Sequence, residues 1–294
     1  MILDMLSSPL MQRGLIVAVL VGLSAPVVGT YLVQRGMALM GDGIGHISLT
    51  GVAIGWLAAG WFGISPNDAL AIPGAIVASL TGAILIEVIR TYGRTSGDVA
   101  LAMLFYGGIA GGVLLIRIAG GTTTNLTSYL FGSIATVSTS DVYYTAVLAT
   151  LILLVGIGLR GPLFSLSNDD EFARTSGLSA RVLNILVAVV AALTVSVSMR
   201  VVGVLLVSAI MIVPVAIAQL ISHSFVWTMR IAQLIGMVVC VGGLVLTYKV
   251  PSSPGATIVV ALIGIYAVTA LIRAGAGLRL RRGAERNTQC LTHV

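Results

Sequence analysis

The passage Met40–Ala53, MGDGIGHISLTGVA, holds the residues best suited to chemistry. Asp42 and His46 are four apart, so on a helix their side chains share one face. One carboxylate oxygen and one imidazole nitrogen make a partial ligand set for Zn²⁺ or Mn²⁺. Gly41, Gly43, Gly45 and Gly51 strip side chains from the surroundings, which allows close helix approach or an unwound backbone. A competing reading has Asp42 capping a helix, His46 hydrogen-bonded to a neighbouring carbonyl and the glycines as packing contacts. A lone D-x-x-x-H is a weak motif, and spacing alone favours that structural reading. Position raises the functional one, because ionisable groups beside or inside apolar stretches are costly and usually face a pathway.

Other candidates have plainer explanations. Glu87 precedes Arg90 by three residues, so an ion pair or snorkelling accounts for it. Asp68, Asp98 and Asp141 each stand just before an apolar run, where a carboxylate caps a helix. His223 lies between two serines in a polar gap, and Cys290 with His293 falls at the end of a polar tail. Cys240 and Cys290 do not make a disulfide framework. The run from Gly203 through Ser208 to Pro214 joins small residues to an intramembrane proline. Such a helix can pack closely and kink, which fits a pore-side position and also many buried helices. The chain contains no H-E-x-x-H, G-x-S-x-G or G-x-x-x-x-G-K-[ST] motif. Any ATP-driven work needs a P-loop from another polypeptide.

These residues must be positioned by a membrane scaffold. Of 294 residues 57% are apolar and only 9% charged, against roughly 25% charged in a soluble domain. The mean hydropathy is +1.07. A soluble enzyme, a nucleic-acid-binding module and a disordered chain are excluded. Apolar runs fall at 13–33, 44–62, 69–90, 99–118, 142–160, 182–199, 202–221, 227–248 and 255–273, each near a bilayer's thickness. The expectation is an all-α polytopic bundle of about nine spans, eight to ten allowing for the tight 199–202 boundary and for 34–46. The first run, which contains Pro26, reads as a retained helix rather than a cleaved leader.

The net charge of +6 reads as topology. With the C-terminus inside, twelve of the sixteen basic residues fall on the inner side and four, Arg13, Arg117, Arg200 and Lys249, on the outer. Residues 1–275 then form the membrane domain and 276–294 a basic, unstructured cytoplasmic tail. The outer loop Gly120–Thr139 is uncharged and rich in Thr, Ser and Gly, suiting a packed surface at an aqueous mouth. The inner segment Ser167–Arg181 is its opposite. Asn168 or Asp169 can cap a short helix with Asp170 and Glu171 in its first turn and Arg174 later, and Gly177 can end it. Phe172, Ala173 and Leu178 supply its apolar content. A connector and a docking surface both fit, and physics alone leans to the connector.

The chain resembles the membrane permease subunit of the bacterial ABC importers for zinc and manganese, over about Gly14 to Arg273. LMGDGIGHISLTGVA at Leu39–Ala53 is similar to that family's G-D-x-x-x-H-x-x-x-x-G-V-A motif. EFARTSGL at Glu171–Leu178, followed by VVGVLLVSAIMIVPVA at Val201–Ala216, is similar to its coupling helix and the spans after it. YLFGSI at Tyr129–Ile134 resembles a further segment, but Ser133 stands where an acidic residue is frequent, so no metal role is carried onto it.

The resemblance implies a multi-pass protein of the bacterial cytoplasmic membrane. It implies a homodimer with a path on its two-fold axis, two cytoplasmic ATPase subunits and an extracytoplasmic metal-binding protein. The divalent ion is cargo, and no cofactor is bound permanently. It assigns metal passage to Asp42 and His46, and turns Asp170, Glu171, Phe172, Arg174, Gly177 and Leu178 into an ATPase-coupling element. A path wants few protein ligands, because a full cage would not release its ion. Zinc, manganese and ferrous iron all suit oxygen and nitrogen ligands. The rivals are a permease for siderophore or cobalamin, whose wide path needs no Asp42–His46 pair, an intramembrane metalloenzyme, and a structural subunit without a path.

Overall fold

The computed structural model describes residues 8–64, 67–92, 97–120, 123–133, 137–199, 202–249 and 252–291. Among them the chain is helical throughout, as expected. In order the helices are α1 (Pro9–Gln34), α2 (Met40–Phe62), a 3₁₀ turn (Asn67–Leu70), α3 (Ala71–Tyr92) and α4 (Gly97–Ile118). Then come α5 (Thr123–Phe131), α6 (Thr139–Gly158), α7 (Arg160–Asn168), α8 (Asp170–Thr175) and α9 (Ala180–Ser198). The chain closes with α10 (Val204–Ile221), α11 (Phe225–Lys249) and α12 (Pro254–Leu291). Each of the nine apolar runs is a helix. Seven are long and apolar enough to cross a membrane, and α9 and α10 hold shorter apolar stretches, Ala180–Ser196 and Leu206–Ile221.

Segment 34–46 is resolved by its own glycine. Gly36, at φ +67°, turns the chain after α1, and α2 begins at Met40, four residues before the apolar run. The gap between α9 and α10 closes on Gly203, whose φ is +90°. The last helix departs from expectation: the tail from 276 continues in helical backbone to Leu291. Ala, Leu and Arg dominate that stretch, all strong helix formers, and no proline interrupts it.

The centre of the bundle is α1. Its Pro26 cannot donate to the Gly22 carbonyl, and the surroundings are built around that loss. A Cβ on Gly22 would lie 2.7 Å from the Met237 Cα, so α1 and α11 touch backbone to backbone there. On the same crossing Gln233 donates to the Leu23 carbonyl at 3.1 Å. Nearer the other end of α1, a Cβ on Gly29 would meet the Met211 carbonyl oxygen at 1.7 Å, which seats α10 on α1. The Tyr31 hydroxyl donates to the Gly156 carbonyl and ties α6 to the same helix. Close backbone approach of this kind is how helices associate where no hydrophobic force separates helix from lipid.

Of the three expected capping acids, Asp141 caps as expected. Ser138 and Asp141 form a reciprocal capping box at the start of α6, with bonds of 2.8 and 3.2 Å. The side chains of Asp68 and Asp98 lie outside the described residues, as do those of Asp170 and Cys290 and the whole of Arg94, Ile134 and His293.

Candidate metal-passage site

Helix α2 carries Asp42 in its first turn and His46 one turn later. The first turn favours a carboxylate through the helix dipole. Asp42 is half-buried, whereas His46 is 2% exposed. The competing reading required His46 to bond a carbonyl. Among the described residues its Nδ1 is buried with no hydrogen-bond partner. An orphaned buried polar atom costs about 1–3 kcal/mol, and such atoms in native structures call for an explanation: strain, a chemical role, or a bound water or ion.

The walls around this pair come from three other helices. On one side α10 approaches Gly41, where a Cβ would sit 3.6 Å from the Ser208 Cβ and 3.7 Å from the Met211 sulfur. A Cβ on Gly45 would meet Val204 at 3.3 Å. Sequence reasoning placed Gly203, Ser208 and Pro214 on a pathway helix. Ser208 does stand beside the Asp42 turn, but all three are buried within one chain. Gly203 serves the outer face, where a Cβ would collide with the Leu130 carbonyl oxygen at 2.3 Å as α5 folds over it. At the C-terminal end of α9, Met199 accepts a hydrogen bond from the Ser48 hydroxyl at 3.3 Å.

The third wall is α4. Gly108 rests on the α2 backbone, its Cβ position 2.6 Å from the His46 carbonyl carbon. Thr50 donates to the Gly108 carbonyl at 2.8 Å. One turn earlier, the Phe105 ring stands edge-on to the His46 imidazole, centroids 4.3 Å apart and planes at 81°. Sequence reasoning missed Phe105 and Met199, because an apolar residue within an apolar span carries no distinguishing signal.

Among the described residues no group of three or more His, Cys, Asp or Glu side chains comes together. Glu87 is explained as expected: it is buried on α3 with a carboxylate oxygen 3.8 Å from the Arg90 guanidinium. His223 is exposed in the turn between α10 and α11, and Cys240 is a buried free thiol.

The inner segment forms a self-contained unit. Asp169 caps α8, accepting from the Glu171 and Phe172 amides at 2.9 and 3.0 Å. The helix ends in a Schellman turn: Gly177 donates to Arg174 at 3.1 Å, Leu178 to Ala173 at 3.0 Å, and Gly177 takes φ +81°. Leu178 folds inward onto Leu166, Ala173 and Ala180. Glu171 and Arg174 are exposed, and Phe172 stands out with 60% of its surface free. The two apolar residues thus part ways: Leu178 anchors the segment, and Phe172 remains available.

α5 and the α11–α12 turn line an open cleft of about 470 Å³ whose walls include Thr127, Ser128, Ser133, Thr247 and Ser252. Within the described part of the uncharged loop, hydroxyls therefore face this cleft.

Known proteins share this architecture. The profile of the ABC 3 transport family matches residues 7–273. The manganese transport system membrane protein MntC of Halalkalibacterium halodurans is 29% identical over 90% of this chain and 88% of its own length. The manganese import system permease protein ScaB of Streptococcus parasanguinis is 33% identical over 85% of both chains. Among solved structures, the PsaBC complex of Streptococcus pneumoniae bound to a Fab superposes with a TM-score of 0.79. That likeness has 29% identity and covers 92% of this chain and 95% of the other. The chain belongs to the ABC 3 transport family and is the multi-pass membrane permease of an ABC transporter.

Proposed function

We propose that the chain passes divalent transition-metal ions into the cytoplasm, with Asp42 and His46 as the ligands that the ion meets in transit. The observation that carries this reading is the buried His46 Nδ1, which lacks any partner one turn from a half-buried carboxylate. An oxygen and an imidazole nitrogen bind manganese, zinc and ferrous iron alike. The manganese relatives make Mn²⁺ the first cargo to test. Two ligands per chain are few enough to release an ion, and a second copy facing the first would double them on a shared axis.

The engine of the importer lies elsewhere. A cytoplasmic ATPase docks on α8, where Phe172 enters its cleft while Glu171 and Arg174 flank the contact. Its stroke reaches the bundle through α7 and α9, the helices that flank α8 in the chain. An extracytoplasmic metal-binding protein delivers the ion at the outer face. Residues 1–275 make the membrane unit and 276–294 its cytoplasmic extension.

The test is ATP-driven uptake of ⁵⁴Mn²⁺, zinc and ferrous iron by the permease reconstituted with its ATPase. Asp42→Ala and His46→Ala should each abolish uptake while the variants still co-purify with the ATPase at wild-type yield. Unchanged uptake by both variants would overturn the proposal.

A further inference from the structure

The aromatic ring over His46 sits on the helix best placed to move it. Phe105 and Gly108 lie three apart on α4 and so share one face, which is applied to α2. Gly108 lets the two backbones touch at His46 and Ile47, and this contact presses the Phe105 ring against the imidazole. The interface continues along glycine: Gly111 and Gly112 meet Thr50 and Leu49, and Gly43 meets Leu101. The glycines let the two backbones run close, with Leu49 seated on Gly112 and Leu101 on Gly43. The Thr50–Gly108 hydrogen bond fixes the present register.

The other side of α4 is loosely held. Between α3 and α4 runs an open apolar groove of about 630 Å³, with Ile47, Thr81, Met103 and Gly107 in its walls. Of the first five spans, α4 is the least buried. Outward from Phe105 the aromatic contact continues to Tyr106, centroids 5.4 Å apart at 90°, and Tyr106 is 69% exposed. A half-buried phenyl ring thus stands beside the buried imidazole, with an exposed ring next to it.

We propose that Phe105 is the gate of the ion path: its ring closes off the His46 imidazole in this state, and movement of α4 along α2 uncovers it. The proposal rests on the ligand role of His46. An apolar ring at a constriction excludes water and the hydrated ion without binding either, so closure needs no charged group. Coupling follows, because the ion reaches its ligands only when the bundle has been driven into another arrangement.

The experiment uses the permease–ATPase complex in sealed vesicles, reading Mn²⁺ influx without ATP and ions moved per ATP hydrolysed. Phe105→Ala should raise ATP-independent influx about two- to tenfold, the range set by losing one edge-to-face aromatic pair, and lower the ions moved per ATP. Phe105→Trp keeps a ring on the imidazole and adds bulk. It should slow ATP-driven uptake with no leak, and it keeps the test decisive if the alanine variant fails to assemble. Wild-type influx and coupling in every variant that assembles would overturn the gate. His46→Ala separates the two ideas: transport surviving it removes the ligand reading itself, whereas loss of transport with no effect at Phe105 removes the gate alone.

Discussion

At the scale of single residues, glycine decides where α2 can go. A Cβ at Gly108 would lie 2.6 Å from the His46 carbonyl carbon and 2.7 Å from the Ile47 nitrogen. Backbone atoms cannot step aside as a side chain would, so the helices must part. Gly108→Ala should therefore destabilise the protein by about 1–3 kcal/mol, the usual cost of overpacking. By dislodging the ring beside His46 it should also raise ATP-independent metal influx and lower the ions moved per ATP. Gly107, one residue away, has nothing within 4 Å of its Cβ position, so Gly107→Ala is the matched control. Thermal unfolding of both variants in detergent checks this, and an equal fall in the two would contradict the packing account. The Asp42–His46 spacing was legible in the sequence because i and i+4 share a helix face. The partnerless Nδ1 was not, since it depends on what three other helices fail to place beside it.

Elements show the same division. The apolar runs predicted the nine apolar helices with bounds a few residues off, α12's C-terminal extension excepted, because bilayer thickness dictates their length. Local chemistry also foretold α8: Asp169 caps it and Gly177 ends it, as the acid and the glycine suggested. What spacing could not divide was the work of Phe172 and Leu178. Leu178 turns inward because the Schellman turn brings it back over Ala173, and Phe172 is left outward. If α8 is the docking element, Phe172→Asp should cost its complex with the ATPase about 2 kcal/mol or more, as truncating a buried interface anchor does. Co-purification yield and ATP-driven uptake should fall together. Wild-type yield with normal transport would make α8 a plain connector.

For the whole molecule, handed packing is the part that sequence conceals. Hydropathy reveals how many helices there are, but not that α1 runs through the middle with α10 and α11 laid against Gly29 and Gly22. Nor does it reveal that α5 folds back over Gly203 to close the outer loop. Orientation, by contrast, is an expectation from the arginines. If the twelve-to-four division of basic residues sets the topology, α8 lies inside and α5 outside. In a background lacking Cys240 and Cys290, single cysteines at Thr123 and Ser179 should react with a membrane-impermeant maleimide from opposite sides. Labelling of both from the outside would reverse the account of which face meets the ATPase.

The central claim, that the ion in transit is held by Asp42 and His46, is tested most directly at the metal. X-ray absorption at the manganese K-edge should be recorded on the permease–ATPase complex trapped with Mn²⁺ during turnover. The spectrum should show oxygen and nitrogen ligands only, with the outer-shell scattering of imidazole. That scattering should vanish in His46→Ala, and the metal should be lost altogether in the Asp42→Ala, His46→Ala double variant. Imidazole scattering that persists without His46, or sulfur in the ligand set, would place the ion elsewhere and contradict the account.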